Sequence, residues 1–423
     1  MAFNKTVLDN GLKIITAPQP GNLAVTVLVL VEAGSKYEAK DINGISHFLE
    51  HMCFKGTKKR PTVLQITSEL DGLGGVHNAF TSHEYTGYYA KAEARHLDKV
   101  LDIVSDIYLN PVFDEKEMDK ERGVIIEEIN MCEDEFGHKV AVLFLELMYG
   151  DQPAGWDVGG TKENIRKITC ADMMKYRSEH YLPQATIVAV AGSFDEPALL
   201  DKIKATFGAM PKGNKVGKVK TTESQKKPEI LLSEKKLEQT HIMLGVRAYD
   251  AFDDRRFALD VLSGVLGLGM SSRLFQEVRE KLGAAYYISS STDLYTDHGY
   301  LAVAAGIDRK KFQVVISAII GEFKKLRDEL VPNDELEKVK NHIAGNLTLG
   351  LETSNSLANF YGIQELVEKA IMTPAQIIER FNAVTSEEIR NVARDIFKNE
   401  KLNLAVLGPA EDKAMLEAWL KLD

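Results

Sequence analysis

Apolar and polar positions follow two different periods along this chain. The runs "LKIITA" (12–17) and "AVTVLVLVEAG" (24–34) are short, apolar and rich in β-branched residues, which predicts strands. In "INGISHFLEHMCFKGT" (42–57), by contrast, Ile42, Ile45, Phe48, Leu49 and Met52 recur at helical spacing. A β-rich run follows, "HNAFTSHEYTGYYAKAEA" (77–94), then the amphipathic helix "HLDKVLDIVSDIYL" (96–109). The acidic helical segment "FDEKEMDKERGVIIEEINMCEDEF" (113–136) comes next.

The second half repeats this order. "THIMLGVRA" (240–248) is strand-like, and "RRFALDVLSGVLG" (255–267) takes the place of the first helix. "AYYISSSTDLYTDHGYLAVAAGI" (285–307), "RKKFQVVISAIIGEFKKL" (309–326) and "PNDELEKVKNHIAGNLTLGL" (332–351) answer the β-rich run and the two helices after it. Between the halves, Pro211–Ile230 is polar and lysine-rich with no apolar periodicity, which predicts a connection. The expected organisation is two related α+β domains, 1–212 and 229–423, joined by a linker at 213–228. Glu128 falls opposite Asn346, and the second half has no counterpart of "HFLEH".

Composition narrows the class. A length of 423 residues suits two large domains, and 44% hydrophobic with 27% charged residues is globular. No apolar run approaches the roughly 20 residues of a membrane span, which argues against membrane insertion. The opening "MAFNKTVLDNGLKIITAPQPG" has neither a secretory nor a mitochondrial pattern. Three widely spaced cysteines, Cys53, Cys132 and Cys170, argue against a disulfide framework, so a cytoplasmic location is expected. A net charge of −10 argues against nucleic acid as a partner.

His47 and His51 lie one helical turn apart with Glu50 beside them. Two such imidazoles can grip one zinc ion, and an adjacent glutamate can hold a water; a wet helix face with scattered polar residues is the plainer reading. A catalytic zinc needs a third protein ligand, and "ERGVIIEEIN" offers Glu121, Glu127 and Glu128. Glu121 and Glu128, two turns apart, share a face with Val124 and Ile125, whereas Glu127 points roughly 100° away. A packed carboxylate pair needs a nearby cation, which makes Glu128 a ligand and Glu121 its support; a solvated acidic helix start is the alternative.

These residues carry a resemblance. "HFLEH" is similar to the inverted H-x-x-E-H signature of the inverzincins, and "HFLEHMCFKGTKKRP", "HNAFTSHEYTGYYAKA" and "ERGVIIEEIN" resemble the pitrilysin family. That family includes insulin-degrading enzyme and the β subunit of mitochondrial processing peptidase. The resemblance spans essentially the whole chain. It implies a zinc metalloendopeptidase with one Zn2+ per chain, held by His47, His51 and Glu128. Glu121 matches the family's second glutamate, and Glu50 would be the general base toward the attacking water. Asn78 and Ala79 would lie on a strand edge that takes extended substrate as an added strand.

In "FQEVREKLGAAYYIS", Arg279 and Tyr286 resemble the Arg/Tyr pair that the family brings to the scissile carbonyl; an ordinary helix-end arginine and strand tyrosine are the alternative. The family spacing picks Tyr286, with Tyr287 a weaker substitute. Cys53 reads as a packed side chain, His77 and His83 as structural or surface groups, and "VLGLGMSSRL" as a turn. The family's fold would be a mostly antiparallel sheet packed by helices in each domain, together forming one half of a clamshell. Larger relatives join two such halves in one chain, so a homodimer is expected here. The substrate would be oligopeptides or unfolded polypeptide; a presequence-type processing peptidase and a non-catalytic scaffold are the alternatives.

Overall fold

A computed structural model describes residues 2–409 and 411–422. Its contacts divide the chain into two compact units. The first comprises residues 1–130, 156–219 and 348–374, and the second 131–155, 220–347 and 375–423.

The first unit is built on a six-stranded sheet of β1 (Asn4–Val7), β2 (Lys13–Pro18), β3 (Ala24–Val31), β4 (Val76–Thr81), β5 (Thr86–Glu93) and β6 (Thr186–Gly192), in the order β1-β2-β6-β3-β5-β4. Only β2 and β6 run parallel. The second unit holds β7 (Glu229–Glu234), β8 (Thr240–Arg247), β9 (Ala285–Leu294), β10 (Gly299–Ile307) and β11 (Leu402–Gly408), in the order β7-β11-β8-β10-β9. There too a single parallel pair, β7 and β11, sits beside antiparallel neighbours. The repeat anticipated from element order is therefore present in strand order. Both sheets are mostly antiparallel and packed by helices, an α+β architecture.

The apolar run of β3 has a physical cause. Val25, Val27, Val29 and Val31 face a core that includes the Leu97–Leu109 helix and residues 45–53. On the opposite face, Gly362 of the Ser354–Val367 helix lies against Leu28, Leu30 and Ala189. A strand covered on both faces loses the polar alternation of a half-exposed one. In the second unit, Val140, Phe144 and Met148 of the Phe136–Tyr149 helix pack with Met243, Tyr300, Ala405 and Leu407. Each sheet is thus covered by a helix drawn from the opposite half of the sequence.

Residues 211–228 form no helix or strand. Lys215 pairs with Glu32 and Lys218 with Glu84, whereas Thr221 N–H donates to Asp297 and Gln225 Nε2 to the carbonyl of Leu402. The polar connection is therefore tethered at both ends.

Candidate metal centre

His47 and His51 stand on the Ile45–Cys53 helix, whose Ile45, Ser46, Phe48, Leu49, Met52 and Cys53 are buried. Its apolar stripe faces the core, and the two imidazoles are left on the wetter side. Glu128 and Glu121 stand on the Glu115–Asp134 helix, where Met118, Glu121 and Ile125 are buried. Val124 departs from the expected face: it is 46% exposed, because it lies about 90° from the centre of that narrow stripe. Arg122 ties this helix down. Its guanidinium donates to the carbonyls of Ile165 and Ile168 and lies 5.5 Å over the ring of Phe48.

The two helices bring three donor atoms together. His47 Nε2 and His51 Nε2 are 3.2 Å apart, and Glu128 Oε2 lies 3.6 and 3.4 Å from them. Four donors about 2.0–2.1 Å from a central zinc would be separated by about 3.3 Å, so these spacings fit a tetrahedral ion. His51 Nδ1 contacts Glu121 Oε1 at 2.8 Å. With its proton on that nitrogen, neutral His51 presents a lone pair at Nε2 toward another imidazole nitrogen and a carboxylate. A cation relieves that electron-rich triangle. Among the described residues, His47, His51 and Glu128 form the one such metal-competent group.

Protonation tendencies differ between the two histidines: burial works against a charged His51, yet Glu121, Glu128 and Glu50 around it raise its affinity for a cation, proton or metal. Burial, with His51 adding, brings His47 down to about 4, which keeps it neutral, the form that can ligate a metal. Burial works against ionised Glu121, yet its bonds to His51 and Lys55 hold its carboxyl below the ordinary range. Lys55 Nζ lies 2.5 Å from Glu121 Oε2. Glu50 is pushed up, chiefly by burial, while Thr81 Oγ1 donates to its Oε2 at 2.5 Å and pulls the other way. His47 Nδ1 is buried with no hydrogen-bond partner among the described residues.

Thr81 places Glu50 beside the end of β4, an edge strand paired only with β5. Ser82 N–H donates to the Tyr85 carbonyl, so alternation along the ladder turns the main-chain groups of Thr81, Ala79 and His77 toward the free edge. Asn78 Oδ1 accepts from Ala79 N–H at 2.9 Å, in keeping with that direction. His83 meets Ser35 Oγ at 2.9 Å. Cys53 is fully buried, its thiol pushed up to about 11 by burial, so it packs rather than ligates.

Arg279 and Tyr286 belong to the second unit. Arg279 is exposed near the end of a π-helical segment, Phe275–Lys281, with its guanidinium 5.0 Å over Phe275. Tyr286 is 64% exposed on β9, an edge strand of its sheet. Tyr287 instead engages His241, 3.0 Å from its hydroxyl.

Sequence reasoning missed Thr81 and Lys55. Lys55 carried a faint signal, four residues after His51; nothing in the pattern around Thr81 tied it to Glu50.

Residues 13–162 match the family described as insulinase (peptidase family M16), and residues 167–343 match the peptidase M16 inactive domain. An uncharacterized zinc protease of Streptomyces coelicolor is 35% identical over 97% of this chain and 90% of its own length. The chain belongs to the M16 peptidase family. A further relative, an uncharacterized zinc protease of Bacillus subtilis, is 36% identical over 95% of this M16 chain and 97% of its own length. The crystal structure of a protease from Helicobacter pylori superposes with a TM-score of 0.88 at 25% identity, covering 96% of this chain and 99% of that one. A peptidase M16 inactive domain structure from Pseudomonas fluorescens shares the fold, with a TM-score of 0.89 at 17% identity over 97% and 99% of the two chains. The description of the second half as inactive agrees with its lack of an H-x-x-E-H. Among the described residues of this M16 chain, no helix is long and apolar enough to cross a membrane.

Proposed function

We propose that this chain is a zinc metalloendopeptidase that hydrolyses oligopeptides or unfolded polypeptide segments in the cytoplasm, working as a homodimer. The observation that carries the reading is the convergence of His47 Nε2, His51 Nε2 and Glu128 Oε2 beside a half-buried Glu50. His47, His51 and Glu128 would hold the ion, and Glu121 would keep the His51 ring turned toward it. A zinc ion bound there supplies Lewis acidity, polarising a carbonyl oxygen and acidifying water.

Glu50 performs the proton transfers. Thr81 occupies its Oε2, which leaves Oε1 to take a proton from the attacking water. That proton then passes to the leaving amine, and the raised proton affinity of this partly desolvated carboxyl suits both steps. The outward main-chain groups of His77, Ala79 and Thr81 on β4 hold the substrate as an added strand, with little dependence on its sequence. Arg279 and Tyr286, exposed in the second unit, supply a cation and a phenol to the carbonyl oxygen when a second copy presents them. Both sets are intact in one chain, which speaks against a non-catalytic scaffold.

The test compares parent and Glu50→Gln on a pool of unstructured peptides. The variant is expected to keep one zinc per chain and lose about 10²–10⁴-fold in turnover. Equal turnover in the two proteins would remove Glu50 from the chemistry.

A further inference from the structure

Glu38 is a carboxylate only 4% exposed, and it touches none of the groups assigned a chemical task above. Its Oε1 accepts from Ser46 N–H at 2.8 Å. Its Oε2 accepts from Gly44 N–H at 2.8 Å and from Asn43 Nδ2 at 2.9 Å. Both oxygens serve as acceptors at once, the condition an ionised carboxylate meets and an amide does not.

These donors sit at the start of the histidine helix, and the capping residue Gly44 has no side chain to do that task. The helix has nine residues, a length at which the backbone has little stability of its own, so its first turn governs where the rest points. His47 follows Ser46 directly. Gly44 itself has φ +99, and an added Cβ would lie 2.7 Å from the Gly159 carbonyl oxygen.

The same corner reaches toward the third donor. Asn43 Nδ2 also donates to the Asp157 carbonyl at 3.1 Å, and Asn164 Nδ2 donates to the Asn43 carbonyl at 3.3 Å. Gly160 approaches so closely that a Cβ there would stand 2.2 Å from Asn43 O. Its neighbour Gly159 faces Ile129, the residue after Glu128.

We propose that Glu38 is a positioning residue of the metal centre: it fixes the start of the histidine helix against the Asp157–Gly160 loop and thereby sets His47 and His51 in register with Glu128. This rests on the zinc reading given above. Glu38→Gln keeps the shape but places an NH2 donor against a main-chain N–H. The expected result is roughly ten-fold weaker zinc binding in competition titration. A shifted visible spectrum of the Co2+-substituted protein is expected alongside it, at temperatures where the variant remains folded.

Glu365→Gln is the control for burial alone. Glu365 is a buried carboxylate of the same unit, paired with Lys5 and Lys13 at 2.8 Å. It is expected to lower the melting temperature and to leave zinc affinity and the Co2+ spectrum unchanged. If Glu38→Gln does not fold, Asn43→Ala removes one donor to Glu38 and is expected to show a smaller loss of affinity in the same direction. A parent chain that binds no zinc overturns both readings. A parent that binds zinc, with Glu38→Gln or its substitute binding equally tightly and giving the same spectrum, overturns this one alone. Equal weakening in Glu365→Gln overturns it as well.

Discussion

Glu50 is subject to two opposed influences, burial raising its proton affinity and the Thr81 hydrogen bond lowering it. Removing the bond while keeping the shape isolates the second. In Thr81→Val the carboxylate loses a donor, so the Glu50 pKa rises further and the proposed base is protonated over a wider pH range. The acid limb of kcat/KM is therefore expected to move to higher pH, with turnover at alkaline pH little changed; a pH–rate profile measures it. An acid limb that stays in place would separate Thr81 from the base. The positions of His47, His51, Glu50, Glu121 and Glu128 on shared helix faces were legible from spacing. Thr81 was not, because its contact with Glu50 joins a helix to a strand end 31 residues away, and no local period encodes that. Val124 misled for a related reason: spacing gives the direction of a side chain but not the width of the buried stripe.

At the scale of elements, β3 is covered on both faces, and the two faces serve different partners. Leu30, fully buried, belongs to the face covered by the Ser354–Val367 helix. Leu30→Ala is expected to lose about 2–5 kcal/mol of stability in denaturant unfolding, because a packed site collapses only partly around the void. Leu64→Ala, at a side chain 72% exposed, is expected to change stability by no more than about 0.5 kcal/mol. Identical effects would mean that this face is not packed as described. The doubled strand order was foreshadowed by repeated element order along the chain. The exchange of covering helices was not, since periodicity marks an apolar face without naming the sheet that buries it.

For the whole molecule, the decisive question is whether one chain holds a complete site. Arg279→Ala alone is expected to keep zinc and lose about 10²-fold in turnover, as oxyanion-type donors do. Mixing it with Glu50→Gln then discriminates. If Arg279 acts on the zinc of a partner copy, half the dimers in an equal, fully exchanged mixture are mixed, and each has one of its two sites intact. Activity should recover to about a quarter of the parent. Sites confined to single chains would show no recovery, and sedimentation of a fully active monomer would carry the same message.

The chain changes unit at 130/131, 155/156, 219/220, 347/348 and 374/375. That weaving has a consequence in time. During synthesis β6 completes the first sheet at Gly192, yet the helix that covers Leu28 and Leu30 begins only at Ser354. Roughly 160 residues separate the two events, on the order of ten to thirty seconds at ordinary translation rates. Throughout that interval the sheet face that carries Leu28 and Leu30 has no covering helix yet made, so aggregation is a hazard until Ser354–Val367 is synthesised.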